Sequence, residues 1–130
     1  MSVESTTAGL TELLYSDEIA IQLHKMGFKA VMTEGAKHIL SWKSPNYVYS
    51  SSAAPKLKVL LRNTTLSDEL AFHFSDSTWH NFPMDAEKFA TALATLPEEE
   101  QVVNIWVGAE TFGIRQSAAS GIFDFLKALP

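Results

Sequence analysis

The chain has 130 residues, of which 46% are hydrophobic and 19% charged, with a formal net charge of -5. That composition excludes a disordered polymer, and the absence of cysteine excludes a disulfide framework, a thiolate metal centre and a cysteine nucleophile. The acidic balance disfavours the phosphate contacts that dominate nucleic-acid binding, and no apolar run reaches the length of a membrane span.

Residues 1–9 are small and polar without periodicity, so they read as a flexible N-terminus, and residues 10–130 as a single globular domain. Met1 to Leu10 carry Glu4 and no base ahead of an apolar stretch, so neither a signal peptide nor an anchor is expected, and the location is read as cytoplasmic. Ser16 caps a first helix through Asp17, Glu18, Ile19, Ala20, Leu23 and Met26, which stops at Gly27. Phe28 to Thr33 and Ala36 to Lys43 then read as a hairpin around Glu34-Gly35, with the glycine supplying a positive φ. Ser44-Pro45 breaks the pattern before a short aromatic segment, Asn46 to Ser50. Lys56 to Arg62 alternates Leu57, Val59 and Leu61 against Lys56, Lys58 and Arg62, a half-buried strand with a basic outer face.

Glu69 to Ser75 alternates again, with Leu70, Phe72 and Phe74 on one side, and Thr78 to Phe82 follows a turn at Asp76-Ser77. Asp85 to Leu96 carries a helical stripe of Phe89, Leu93 and Leu96 that ends at Pro97. Val102 to Val107 is nearly unbroken apolar, as in a strand covered on both faces, and Gln116 to Leu129 closes the chain as a helix. The order predicts an α+β fold: a mainly antiparallel sheet of about five to seven strands, with one N-terminal and two C-terminal helices packed on it.

No strong catalytic or phosphate-binding motif occurs; Gly108 to Gly113 has suggestive spacing but lacks the Lys-Ser that phosphate chemistry needs. A two-residue turn at Asp76-Ser77 would set His73 opposite His80, about 5 Å apart, close enough for an acid and base pair with Asp76 beside them. His38 falls on the apolar side of its strand and reads as a partly buried imidazole. Lys56, Lys58 and Arg62, with Trp42, Tyr47 and Tyr49 in neighbouring segments, have the residue types of a single-strand RNA-binding face. Lys25 to Arg62 holds seven bases against one acid, Glu34, whereas Asn63 to Pro130 holds ten acids against three bases. In that acidic part, Glu98, Glu99 and Glu100, with Asp85, Glu87 and Glu110, could present carboxylates to a basic protein partner.

The leading expectation is therefore a small non-enzymatic interaction domain, concretely an inhibitor or immunity-type protein that neutralises a partner such as a nuclease toxin. It needs no metal or cofactor, binds no membrane, and has no assigned oligomeric state. A hydrolase or metal-dependent enzyme using His73 and His80 comes second, and the RNA-binding sheet third.

Overall fold

A computed structural model of the chain describes residues 4–129. Strand β1 (Thr7–Gly9) leads through helix α1 (Asp17–Lys25) to strand β2 (Ala30–Glu34), which lies parallel to β1. Parallel neighbours need such a crossover, because a tight turn can only return the chain antiparallel. The Ser16 hydroxyl caps α1 by accepting from the Ile19 N–H, and Gly27 leaves the helix at φ +92°, where glycine carries no Cβ penalty. Helix α2 (Lys37–Leu40) and strand β3 (Tyr49–Ser50) precede strand β4 (Lys58–Arg62). β4 pairs in parallel with β2 from Ala30 opposite Lys58 to Glu34 opposite Arg62, and antiparallel with the short β3. The sheet order is β1-β2-β4-β3.

This mixed, mostly parallel sheet of four strands replaces the expected antiparallel sheet of five to seven, within an α+β arrangement that has five α-helices among the described residues. The expected hairpin does not form. Lys37–Leu40 is helical, with the Ile39 and Leu40 N–H groups donating to the Ala36 carbonyl, and β2 pairs instead with β1 and β4. Val31, Met32 and Thr33 are all buried, the signature of a strand covered on both faces that had been assigned to Val102 to Val107. That later segment forms no strand and is mostly half-buried. Asn104 makes an isolated parallel bridge with Arg62 of β4, and its side-chain amide donates to the Leu61 carbonyl at 3.1 Å.

Helix α3 (Thr64–Asp68) runs directly into a π-helical turn, Glu69–His73, where the alternation had suggested a strand. Helix α4 (Ala86–Ala94) has Asp85 as its cap, accepting from the Lys88 N–H at 2.8 Å, and helix α5 (Ile122–Ala128) starts after Gly121 at φ +84°. The Thr78 to Phe82 strand is absent. Successive turns, Asp76 N–H to the His73 carbonyl, Trp79 to Asp76 and Phe82 to Trp79, occupy its place.

The described chain forms two compact units, one running to Thr64 and including Glu100–Ile105, the other comprising Thr65–Glu99 and the residues from Trp106 onward. The core of the first gathers Ala20 and Leu23 of α1, Val31 of β2, and Ala54, Leu57, Val59 and Leu61 on and before β4. Burying each of its larger side chains contributes roughly 1.5–3 kcal/mol. The second unit is built on aromatic edges: Phe74 meets Phe125 at 5.2 Å between ring centres and Phe89 meets Phe125 at 5.5 Å. No helix among the described residues is long and apolar enough to cross a membrane.

Candidate functional site

At the carboxyl edge of a parallel sheet the loops diverge and leave room for a ligand. Such a cleft opens in the first unit, with a volume of about 560 Å³. Thr33 and Glu34 at the end of β2, Leu61 near the end of β4, and Glu12 with Leu13 beyond the end of β1 line it, and Tyr49 of β3 closes one side.

Glu34 is the most constrained carboxylate there. One oxygen accepts from the Thr64 hydroxyl at 2.6 Å and from the Gly35 N–H at 3.1 Å, and the Arg62 guanidinium lies 3.5 Å from both oxygens. The parallel register sets this up, since Glu34 and Arg62 are directly paired residues of β2 and β4. Arg62 is largely covered, its side chain only 12% exposed, so the pair is shielded more than a surface bridge would be. The following glycine is there for space. A Cβ at Gly35 would overlap the Arg62 carbonyl oxygen and press on Pro45 at 3.2 Å. The expected positive φ is not what position 35 uses; the glycines with that geometry among the described residues are Gly27, Gly113 and Gly121.

Across the cleft the backbone is strained. Glu12 and Leu13 sit at φ +57° and +51°, a left-handed conformation that costs a non-glycine residue roughly 1 kcal/mol or more, and such residues cluster at functional sites. The buried Thr33 hydroxyl donates to the Leu13 carbonyl at 2.7 Å and holds the segment in place. Asp17, in the first turn of α1, also lines the cleft, as does Tyr15, whose hydroxyl donates to Ser51 at 2.9 Å.

Of the residues singled out from the sequence, Arg62 and Tyr49 stand at this cleft, and the histidine pair and the acidic residues are not among its lining. His73 and His80 do not face each other across two strands: His73 ends the π-helical turn, its Nδ1 lies 3.8 Å from Asp76, and it stacks on Trp79. Trp79 meets His80 edge-on at 5.9 Å. The Thr78 hydroxyl and N–H donate to Asp76 and, with a smaller contribution from His73, hold its carboxyl below the usual range. Among the described residues no three His, Asp or Glu side chains gather to hold a metal ion. His38 is exposed on α2 rather than partly buried.

The basic row is split: Lys56 and Lys58 are exposed, but Arg62 is turned to Glu34. Each of the acids has its own local setting. Asp85 is spent as a helix cap, Glu87 lies in the first turn of α4, and Glu110 pairs with Arg115 at 3.6 Å. Glu98 and Glu99 are solvated, whereas Glu100 accepts from the side-chain amide of buried Asn46. Glu34 was not among the candidates read from the sequence, although it is the lone acid among the charges of a basic stretch and ends an apolar strand.

A cleft that carries carboxylates at the carboxyl edge of a mostly parallel sheet stands where small-molecule sites are commonly found. The comparison with known proteins is more specific, because the whole chain, residues 1–130, matches glycosyl hydrolase family 57. The chain belongs to that family. It is similar to a protein of Methanocaldococcus jannaschii named "Putative alpha-amylase", with 47% identity over 120 residues, which cover 92% of this chain and 25% of that protein. The chain thus spans about a quarter of the length of this curated relative. No solved structure matches it. Family membership overturns the expectation of a non-enzymatic inhibitor or immunity protein, which rested on acidic charge, a single compact domain and the absence of cofactor and catalytic motifs.

Proposed function

We propose that the chain carries a glycoside-hydrolysing centre acting on an α-linked glucan, with Glu34 as its central carboxylate. The supporting observation is the convergence of the Thr64 hydroxyl, the Gly35 N–H and the Arg62 guanidinium on Glu34 beside an open cleft. Glycoside hydrolysis generally needs two carboxyl groups, one to protonate the departing oxygen and one to attack the anomeric carbon or to activate water. A carboxylate fixed by three donors is oriented for the second task. Glu12, on the strained segment that lines the same cleft, is the partner assigned to protonate the leaving oxygen. The α-glucan substrate follows the printed name of the relative.

The test is release of reducing ends from soluble starch. Glu34→Gln keeps the size of the side chain but removes its charge, so the rate should fall about 10³-fold or more with folding retained. Wild-type turnover in Glu34→Gln would refute the assignment.

A further inference from the structure

Beyond the cleft, a second cavity of about 440 Å³ is formed by Trp42, Lys43, Ser44, Tyr47 and Tyr49. It joins the first through a shared residue, since Tyr49 lines both. Trp42 is 87% exposed, an unusual setting for the largest apolar side chain, and burial gives no reason for its position. The residue before it, Ser41, is held at φ +57° and ψ -114°, a conformation that a serine adopts only at a cost and that fixes where the chain presents Trp42. On the other side, the Tyr49 hydroxyl donates to the Ser44 carbonyl at 2.6 Å, which locks the phenol to the loop that leads to Tyr47. The cavity wall is therefore made of aromatic rings, with the polar groups of Lys43 and Ser44 beside them. Amphipathic ligands fit such a wall: an apolar ring face can lie on the aromatic surface while hydroxyls bond to the polar groups.

We infer that Trp42, Tyr47 and Tyr49 form a stacking subsite for pyranose rings of a glucan chain, one that holds sugars remote from the bond at Glu34. This deepens the proposed function and rests on it for the choice of ligand. Tyr49 is the hinge between the two cavities: a chain of several sugars reaches past it onto Trp42, while a short one occupies the cleft alone. Binding energy from remote sugars then acts to position the reacting one, so the subsite makes affinity depend on chain length.

The experiment measures calorimetric affinity of the full chain for maltotriose and maltoheptaose, in wild type and in the Glu34→Gln background, with and without Trp42→Ala. Trp42→Ala should weaken maltoheptaose about tenfold or more and leave maltotriose within about twofold, with an unchanged melting temperature because the side chain is exposed. Trp42→Phe, which keeps a ring, should recover most of the loss. An unchanged maltoheptaose affinity, an equal loss for both sugars, or no binding of either by wild type overturns the subsite. Failure of the catalytic reading shows separately. It would be seen as undiminished hydrolysis in Glu34→Gln, while the chain-length dependence at Trp42 stands.

Discussion

At position 35 the smallest possible addition, one methyl group, meets backbone rather than a side chain that could swing away. Gly35→Ala should therefore destabilise the fold by about 1–3 kcal/mol, read as a lower urea midpoint at constant slope. An unchanged midpoint would mean that β2 and β4 separate more easily than their pairing implies. The same crowding ties stability to the site, since the carbonyl in the way belongs to Arg62, whose guanidinium faces Glu34. Moving it to admit a Cβ would shift one of the donors that orient the carboxylate. Tyr49 is similarly placed by its surroundings. Burial, then Tyr47 and Glu100, pushes its phenol above the ordinary range, in keeping with its role as donor to the Ser44 carbonyl.

Among the elements, the segment from Thr64 to Phe74 decides between two periodicities. Leu70, Phe72 and Phe74 alternate as in a strand, yet Ser67, Leu70, Ala71 and Phe74 are the buried residues and their spacing is helical. Phe72 is left 52% exposed, under the Arg115 guanidinium at 5.0 Å from its ring centre. Phe74→Ala should accordingly cost about 3–5 kcal/mol and Phe72→Ala less than about 1 kcal/mol, both from denaturant unfolding. The reverse order would restore the strand. Elements with their own end signals were legible in the sequence: α1 from Ser16 to Gly27 and α4 from Asp85 carry their caps, and Leu57, Val59 and Leu61 announced the buried side of β4. What was not legible depended on partners far along the chain. Ala36 to Lys43 alternates like a strand, but β4 occupies the edge of β2 that a hairpin would have used. β1 has three residues, Thr7, Ala8 and Gly9, and no pattern that could announce it; its pairing with β2 defines it. The aromatic residues Trp42, Tyr47 and Tyr49 were picked out as a group, but Lys56, Lys58 and Arg62 do not line the cavity that those three share.

The net charge of -5 suggested a basic partner, but the acids concerned cap a helix, pair with Arg115, bond to Asn46 or are simply solvated. The proposed function rests instead on the one acid of the basic stretch, because parallel pairing places Arg62 beside it and a cleft in front of it. The central claim is that Glu34 acts on the glycosidic bond itself, and a substrate with a good leaving group isolates that step. In 4-nitrophenyl α-maltoside the departing phenolate needs little protonation, so loss of an acid matters less than loss of the carboxylate that attacks or activates water. The decisive measurement is kcat on this substrate for Glu34→Gln beside Glu12→Gln. The account predicts a fall of about 10³-fold or more for Glu34→Gln and a far smaller one for Glu12→Gln, which is impaired chiefly on starch. Wild-type kcat in Glu34→Gln would contradict it.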